Sequence, residues 1–407
     1  MERVAVADFN RTICVIGLGY IGLPTASLLG TKGYRVHGVD TSKGIIDTIN
    51  KGKIHIVEPD LDILVKSAVQ SGKLTAGLEP RKADVFILAV PTPFKDGHQP
   101  DLSYVEAATR MIAPYVEAGN LIILESTSPV GTTEEVVAKI LMDAGHDISK
   151  DVFVAHCPER VLPGRILTEL VQNDRIVGGV NKIATEKAVE FYNSFVSGEV
   201  LATDSRTAEL AKLTENSFRD VNIAFANELS LICDQENISI WELIALANRH
   251  PRVNILQPGP GVGGHCIAVD PWFIVARAPE LARLIRTARE INDYKPEWVI
   301  EKVRRSADKF KRPVIGCLGL AFKADVDDLR ESPSVGIVRQ LIKNNIGEVI
   351  ISEPNLSRHD EFELLPHEEV IARSDIVLLL VDHKEFRNLK AADLKEKILI
   401  DTRGAIV

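Results

Sequence analysis

One cysteine of this chain stands in an unusual local sequence. Residues 258–273 read PGPGVGGHCIAVDPWF, and Cys266 follows a stretch rich in glycine and proline. We expect the glycines to expose backbone N–H groups to an anion, and Asp270, four residues further on, can orient a water molecule. A thiolate here could act as a nucleophile. The alternative is a small buried hydrophobic residue, which is what most cysteines outside disulfides are.

A second pair of candidate residues lies in the segment AKLTENSFRD. Lys212 and Asn216 are spaced i, i+4, so they share one face of the predicted helix. An ammonium and an amide together can hold an alkoxide oxygen, and the lysine can also accept a proton. The cation would also favour the thiolate of Cys266. A solvated polar helix face explains the same spacing and stays open as the alternative.

A dinucleotide-binding turn is indicated by GLGYIG, residues 17–22, which follows the apolar strand TICVI and opens a helical stretch. In this pattern Gly17 permits the tight turn, Gly19 lets the backbone approach a pyrophosphate, and Gly22 lets helix and strand pack closely. Asp40 ends the next predicted strand, where a carboxylate accepts hydrogen bonds from a ribose and repels a 2′-phosphate. The sequence therefore predicts NAD rather than NADP, although Lys43 nearby keeps NADP open, and a turn without ligand is the alternative.

These residues together define a chemistry. A dinucleotide site accounts for hydride transfer, and a plain alcohol oxidation needs no thiol. An aldehyde, however, has no tetrahedral carbinol carbon from which a second hydride can leave until a nucleophile adds to it. Thiolate addition, oxidation of the thiohemiacetal and hydrolysis of the thioester would give an acid.

The elements that must position these residues follow a regular rhythm of apolar runs and helical patterns. The early runs are TICVIG (12–17), YRVHGVD (34–40), DVFILAV (84–90), LIILEST (121–127) and DVFVAHCPE (151–159). This rhythm predicts a parallel sheet with crossover helices. From Ser205 a helical period runs for about thirty residues, which predicts one long helix. Strands return in PVIGCLGL (313–320), GEVIISEP (347–354), SDIVLLLVD (374–382) and KILIDTRG (397–404).

We therefore predict an α/β fold with two Rossmann-like parallel-sheet domains joined by a long central helix and a helical region. The predicted boundaries are 1–200, 201–308 and 309–407.

Composition limits the classes of function. The 407 residues are 45% hydrophobic and 26% charged, with a net charge of -9, so the chain is globular and lacks the basic balance of nucleic-acid or anionic-membrane binders. Its five cysteines form no C-x-x-C pair, which predicts neither a metal site nor disulfides and fits a reducing compartment. The segment MERVAVADFNRT lacks the apolar region of a signal peptide. We expect a cytoplasmic protein.

A chain of motifs resembles the UDP-glucose/GDP-mannose dehydrogenase family over nearly the full length. The motifs occur in the family's order: GLGYIGLPTA, VPTP (90–93), STSPVGTT (126–133), CPER (157–160), KLTENSFRD (212–220), GPGVGGHC (259–266), AFKADVDDLRESP (321–333) and DTRG (401–404). The resemblance implies an NAD-dependent four-electron oxidation of a UDP-sugar C6 alcohol to the uronate, with two NAD per sugar. It also implies that residues 1–200 bind NAD, 201–308 supply catalysis and a homodimer interface, and 309–407 bind the UDP-sugar.

The resemblance also assigns residues. Cys266 is similar to the family nucleophile, and Lys212 is similar to its proton donor and acceptor. Glu159 and Asp270 match acids that position water, and the side-chain amide of Asn216 matches a contact to the substrate. The expected NAD contacts beyond the glycines are Tyr20, Ile21, Asp40, Thr92, Thr127 and Arg330. The expected substrate contacts are Arg160, Val161, Lys212, Asn216, Arg219, His250, Arg252, Gly263, Phe322, Lys323 and Arg403, with Arg252 resembling one that reaches the neighbouring subunit's site.

Two positions depart from the UDP-glucose branch of the family. That branch has an aromatic residue where this chain has Arg160, and a lysine where it has Val269. Both changes fit a sugar with a 2-acetamido group. Three segments resemble the N-acetylmannosamine branch of the family, which implies UDP-N-acetyl-D-mannosamine as substrate: HIVEPDL (55–61), LTENSFRDVNIAFANELSLIC (213–233) and NRHPRVNILQPGPGVGGHCIAVDPWF (248–273). UDP-N-acetyl-D-glucosamine is the first alternative. A two-electron hydroxyacid-type dehydrogenase and a catalytically silent nucleotide-sugar binder are the others. Cys266 and the strands after residue 313 count against the first, and the presence of both Cys266 and Lys212 counts against the second.

Overall fold

Short β-branched runs such as TICVI form the strands of the first sheet, because such residues fit a sheet that is buried on both faces. The computed structural model describes residues 10–162, 164–264 and 266–406. The first nine residues of the N-terminal segment and His265 of the glycine-rich motif lie outside this part of the chain.

The first sheet has eight strands in the described residues, in the order β10-β9-β8-β7-β4-β1-β2-β3, and a small hairpin forms from β5 and β6. The strands are β1 Thr12–Ile16, β2 Arg35–Val39, β3 Leu74–Gly77, β4 Val85–Leu88, β5 Phe94–Lys95, β6 Gln99–Pro100, β7 Leu121–Leu124, β8 Phe153–His156, β9 Arg175–Gly179 and β10 Val200–Asp204. The helices are α1 Gly22–Lys32, α2 Lys43–Asn50, α3 Leu61–Gln70, α4 Ser103–Ile112, α5 Lys139–Asp143, α6 Ile166–Gln172 and α7 Lys182–Asn193.

All five strands predicted in this part of the chain are present. The sequence analysis missed five strands: β3, β9 and β10 of the eight-stranded sheet, and the two short strands β5 and β6 of the hairpin. Strand β10 carries the pattern VLATD with mostly exposed residues, and β9 begins with a charged residue, so neither is an uninterrupted apolar run. The pair β8 and β9 is antiparallel, so the sheet departs from the all-parallel arrangement at that point.

The second sheet is parallel throughout, in the order β12-β11-β13-β14. Its strands are β11 Val314–Leu318, β12 Glu348–Ser352, β13 Ile376–Leu379 and β14 Ile398–Asp401, all within the four predicted runs. The helices from the middle of the chain onwards are α8 Ser205–Glu236, α9 Ile240–Ala247, α10 Asp270–Arg277, α11 Arg283–Ala307, α12 Pro333–Lys343 and α13 His367–Arg373. Helix α11 buries Val299 and Val303 in the same core as β11 and β13.

The chain divides into two compact units, the first ending at Thr214 and the second beginning at Glu215. The predicted long helix is confirmed as α8, whose first ten residues belong to the first unit and the remainder to the second. The three-segment division at 200 and 308 stays a prediction. Among the described residues, no helix has the length and apolar character that crossing a membrane requires.

Candidate functional site

The GLGYIG turn has the geometry that its glycines predict. Gly17 has φ +91°, and a Cβ there would lie 2.4 Å from the Ala89 carbonyl oxygen. A Cβ on Gly22, the first residue of α1, would lie 1.8 Å from the Gly17 carbonyl oxygen. A Cβ on Gly19 would meet nothing within 4 Å among the described residues. Two glycines are thus required by the fold, and the third leaves open backbone where a pyrophosphate fits.

Asp40 follows the last residue of β2, next to this turn. Its carboxylate accepts the Leu18 N–H at 3.1 Å with Oδ2 and the Ser42 N–H at 2.9 Å with Oδ1. The residue is half-buried. Since each carboxylate oxygen has a second lone pair, Asp40 can still accept hydrogen bonds from a ribose diol.

Other expected NAD contacts lie after neighbouring strands of the same sheet. Thr92 follows β4 and is buried, and its hydroxyl donates to the Thr127 carbonyl oxygen, beyond β7, at 2.5 Å. Tyr20 is 41% exposed, and Ile21 precedes the first residue of α1. The structure thus gathers these residues at the carboxyl ends of the strands, where α/β sheets bind nucleotides.

The segment after β8 carries Glu159, Arg160 and Val161. Glu159 is buried, and its Oε2 pairs with Nη1 of Arg175 at 2.9 Å while its Oε1 accepts the Arg160 N–H at 2.6 Å. The Arg160 guanidinium donates to the Asp174 carbonyl oxygen at 2.7 Å. Val161 packs against the main core of the first unit.

Sequence reasoning missed the buried polar cluster behind Glu159. Burial raises the pKa of Glu125 to about 7, with the Glu159 charge adding to the effect while Arg175 and the Tyr192 hydrogen bond oppose it. The Tyr192 hydroxyl donates to Glu125 Oε1 at 2.6 Å. A signal existed, because Glu125 directly follows the buried run LIIL and Arg175 opens another buried strand, positions where a charged residue needs a partner.

In the second unit, Cys266 is exposed, whereas the other four cysteines are buried. The Cys266 carbonyl oxygen accepts the N–H groups of Val269 at 3.1 Å and Asp270 at 2.8 Å, so the cysteine lies one turn before α10. Asp270 is buried, and its Oδ2 accepts the Asn216 side-chain amide of α8 at 2.5 Å. Two residues that the sequence placed in the site are therefore in direct contact.

Two further asparagines of α8 hold the segment that precedes the cysteine. Asn222 accepts the Leu256 N–H at 2.9 Å and donates to the Asn254 carbonyl oxygen at 3.0 Å. Asn227 accepts the Gly259 N–H at 2.9 Å. Together with Asn216, these amides fix the chain to α8 on both sides of Cys266, although nothing local in the sequence indicates these partners.

Close approach explains the glycines of this tract. A Cβ on Gly263 would lie 2.5 Å from the Glu331 carbonyl oxygen, and one on Gly264, which has φ +83°, would lie 2.8 Å from the Phe322 ring. A Cβ on Gly259 would lie 2.7 Å from Nη1 of Arg403. The expectation that the tract presents its N–H groups to an anion is wrong at two positions: Gly259 N–H donates to Asn227, and Gly264 N–H donates to the Arg330 carbonyl oxygen at 3.3 Å.

The tract therefore brings several expected substrate residues together within the second unit. Gly263 and Gly264 lie against Phe322, and Gly259 lies against Arg403, whose Nε donates to Asp382 at 2.8 Å. Burial alone would raise the pKa of Asp382, but the charge and hydrogen bond of Arg403 lower it. Arg330, expected at the cofactor, pairs with Asp328 through Nη2 at 2.6 Å.

The remaining expected residues lie on exposed or half-exposed surface. Lys323 follows Phe322 and is exposed, and Arg219 is exposed on α8. His250 and Arg252 lie in the exposed segment after α9, where the Arg252 N–H donates to Nδ1 of His250 at 3.3 Å. Lys212 is half-buried on α8, one helical turn before Asn216.

Comparison with known proteins agrees with this arrangement. Three models of the UDP-glucose/GDP-mannose dehydrogenase family match the chain: the NAD binding domain at residues 11–196, the central domain at 206–294 and the UDP binding domain at 316–407. The chain therefore belongs to this family and is an NAD-dependent dehydrogenase.

Individual relatives are similar over nearly the whole chain. An NDP-N-acetyl-D-galactosaminuronic acid dehydrogenase of Ralstonia nicotianae is 57% identical, covering 99% of this chain and 98% of its own. A UDP-N-acetyl-D-mannosamine dehydrogenase of Escherichia coli is 52% identical, with 97% and 98% covered. A solved structure of UDP-N-acetyl-mannosamine dehydrogenase from S. aureus superposes with a TM-score of 0.89 at 44% identity, covering 97% of this chain and 95% of that one.

Proposed function

We propose that this enzyme oxidises UDP-N-acetyl-D-mannosamine at C6 to UDP-N-acetyl-D-mannosaminuronate. The observation that carries the proposal is the exposed Cys266 placed one turn before α10, on a segment anchored by the Asn216–Asp270 hydrogen bond. An exposed thiol in a NAD enzyme serves the aldehyde oxidation step, because only a covalent adduct provides a second hydride.

The reaction divides into two oxidations and a hydrolysis. Lys212 accepts the proton of the C6 hydroxyl, so that loss of a hydride from C6 leaves an aldehyde. NAD, which the GLGYIG turn and Asp40 would hold, would supply the hydride acceptor for both oxidations. The Cys266 thiolate adds to the aldehyde carbon, and Lys212 with Asn216 stabilises the oxygen of the thiohemiacetal. Loss of a second hydride from this adduct gives a thioester, which water cleaves to release the carboxylate and the thiol. Asp270 positions that water.

The cysteine is tested by Cys266→Ser, with Cys233→Ala as a control that removes a buried thiol elsewhere in the same unit. We expect the serine variant to bind NAD normally and to form uronate at less than about a hundredth of the wild-type rate, since loss of a nucleophile costs several kcal/mol of barrier. The control should release two NADH per sugar. Uronate formation by Cys266→Ser above that rate would exclude covalent capture.

The acetamido sugar is supported by the two positions that depart from the UDP-glucose branch. Val269 is buried, so an unpaired lysine ammonium there would be costly. Arg160 stands where that branch has an aromatic residue. A pocket that hydrogen-bonds the acetamido group leaves polar groups unpaired with a plain hydroxyl, which discriminates strongly. We therefore expect UDP-glucose to be a poor substrate.

A second candidate substrate is a nucleotide-linked N-acetylgalactosamine sugar, which differs from the N-acetylmannosamine sugar at C2 and C4, and the 57% identity to the Ralstonia relative favours it. The deciding experiment compares kcat/KM for UDP-N-acetylmannosamine, UDP-N-acetylglucosamine, UDP-N-acetylgalactosamine and UDP-glucose with NAD. Preference for either of the other acetamido sugars moves the assignment to that sugar and leaves the cysteine chemistry intact. Preference for UDP-glucose would refute the interpretation of Arg160 and Val269.

The active form is proposed to be a homodimer that pairs through α8. Phe218, Phe225 and Ile232 are 68%, 50% and 51% exposed and recur at intervals of seven residues, so they form one apolar stripe along the helix. A second copy can cover this stripe, and Arg252 would then reach the neighbouring subunit's site. Sedimentation of Phe225→Glu should give monomer where wild type gives dimer; a dimeric Phe225→Glu variant would count against this surface.

A further inference from the structure

A cavity of about 260 Å³ lies within the second unit. Helices α8, α9 and α11 and the end of β14 surround it. Two of the three tryptophans of the chain, Trp241 and Trp298, line it, and Ile238 adds apolar surface. A cavity of this size with aromatic and apolar walls suits a small organic molecule.

Lys295 of α11 lines the cavity although it is only 3% exposed. Its ammonium donates to the Ser230 hydroxyl of α8 and lies 4.2 Å from the centre of the Trp298 ring. Among the described residues, no carboxylate forms an ion pair with this ammonium. A buried cation without a counter-ion is costly, so an anion that enters the cavity would gain a strong partner.

The other charged groups around the cavity already have partners. Asp234 of α8 forms an ion pair with Lys302 of α11. The Asp401 carboxylate at the end of β14 accepts the N–H groups of Arg403, Gly404 and Ile406 at 2.7 to 2.9 Å. The Cys233 thiol completes the titratable lining. Lys295 is therefore the positive charge with which a ligand can pair.

We propose that this cavity binds a small organic anion, which pairs with Lys295 and rests on Trp241 and Trp298. The recognised chemistry is one carboxylate or phosphate group on a compact body no larger than a single sugar. The residues proposed to catalyse the dehydrogenase reaction do not line this cavity. It also lies on the side of α8 roughly opposite the apolar stripe, since Ser230 and Asp234 project about 140° and 180° from it at 100° per residue.

The cavity is connected to Arg403 through its wall. A Cβ on Gly404 would lie 2.4 Å from the Trp241 ring, so the turn that carries Arg403 sits directly on this tryptophan. An anion that shifts Trp241 will move this turn. If Arg403 binds the UDP-sugar, a link that rests on the proposed function, the anion will change KM for the sugar and leave KM for NAD unchanged.

Binding is measured by quenching of tryptophan fluorescence during titration with benzoate, glucuronate and inorganic phosphate, with benzyl alcohol as the uncharged match to benzoate. We expect at least one anion to bind saturably, and benzyl alcohol to bind at least about tenfold more weakly than benzoate. The three anions distinguish an aromatic acid, an acid sugar and free phosphate. No saturable binding by any of them would overturn the proposal, and this readout does not depend on turnover.

The contribution of Lys295 is tested by Lys295→Met, which keeps the length of the side chain, beside Lys309→Met at an exposed lysine outside the cavity. Lys295→Met should raise the dissociation constant of the anion that binds to wild type at least about tenfold, and Lys309→Met should leave it unchanged. Equal affinity in Lys295→Met and wild type would overturn the assignment.

A pH titration of wild type gives an independent test that needs no variant. Burial lowers the pKa of Lys295 to about 7, with the Lys302 charge adding to the effect and Asp234 opposing it. Because the anion pairs with the protonated amine, affinity should be highest below pH 7 and fall at least about fivefold by pH 9. Affinity that is constant from pH 6 to pH 9 would contradict pairing with this lysine.

Discussion

In each of the two sheets, an acidic residue follows the second strand along the chain, but the two acids have different roles. Asp40 follows β2 and accepts the Leu18 N–H of the loop after β1 at 3.1 Å. Glu353 follows β12 and accepts the N–H groups of Leu320 and Ala321, in the loop after β11, at 2.7 and 3.0 Å. In both cases the acid of the second strand fixes the loop of the first, which is its parallel neighbour.

The two acids differ in their burial and in the number of hydrogen bonds they accept from the protein. Asp40 is half-buried beside a short turn that enters α1 at Gly22. Glu353 is 3% exposed and also accepts from Nε2 of His383 at 3.1 Å and from the Asn355 N–H at 3.0 Å. The Asp325 N–H donates to Nδ1 of His383 at 2.9 Å, which assigns the proton to Nε2. One acid keeps acceptor capacity for a ribose, whereas the other is consumed by the protein.

The largest expected effect comes from Gly22→Ala, which would remove the open turn from the first sheet. The new Cβ would lie 1.8 Å from the Gly17 carbonyl oxygen, and backbone cannot yield as a side chain can. We expect NAD binding to be lost and the first unit to be destabilised by about 3 kcal/mol. Calorimetric titration with NAD and urea unfolding measure both quantities.

Gly19→Ala is the matched control for that variant, because its Cβ meets nothing within 4 Å in the described part of the chain. It should unfold like wild type and bind NAD more weakly, since the methyl group occupies space that the pyrophosphate needs. UDP binding should survive in both variants. Normal NAD affinity in Gly22→Ala would mean that the turn does not shape the cofactor site.

Glu353→Gln tests whether the second acid is purely structural. The amide has one acceptor oxygen where the carboxylate serves both loops, so at least one buried N–H loses its partner. We expect a loss of about 2 kcal/mol in the free energy of unfolding at pH 7 and no change in KM for NAD. A changed KM for NAD with unchanged stability would reverse the roles assigned to the two acids.

The pH dependence sharpens that test. Burial alone would raise the pKa of Glu353, but hydrogen bonds from His383 and the backbone N–H groups of Leu320 and Asn355 lower it. A carboxyl group whose pKa is lower in the folded state stabilises the fold above its unfolded value of 4.5, and this is lost as pH falls through the lowered pKa. The stability difference between wild type and Glu353→Gln should therefore be constant from pH 7 to about pH 5 and shrink below that.

The smallest effect is expected for Asp40, where the change concerns ligand choice rather than folding. Wild type should prefer NAD to NADP by at least about tenfold in kcat/KM, or about 1.4 kcal/mol. Asp40→Ala should shrink this ratio. Asp40→Asn keeps an acceptor for the ribose but loses the charge that repels a 2′-phosphate. Its main effect should therefore be a higher kcat/KM for NADP. Equal use of both cofactors by wild type would remove the role from Asp40.

The local sequence was sufficient to predict a residue's role wherever that role depends on the residue's own backbone conformation or on its near neighbours in the chain. The steric tasks of Gly17 and Gly22 and the nine strands read from apolar runs are found in the structure because turn geometry and sheet burial leave a local pattern. The glycines before Cys266 show the limit. Their presence suggested an anion cradle, but Gly263 and Gly264 are explained by the close approach of Glu331 and Phe322, some sixty residues away.

The sequence by itself determined the family, the NAD-binding turn and the candidate nucleophile, since each is a matter of residue type and short spacing. Only the tertiary structure decided that Glu159 is paired with Arg175, that asparagines of α8 anchor the chain around Cys266, and that Lys295 is buried beside a cavity. Burial and pairing are set by contacts between residues far apart in the chain, and a side chain's charge or hydrogen bonds cannot be assigned before its surroundings are known.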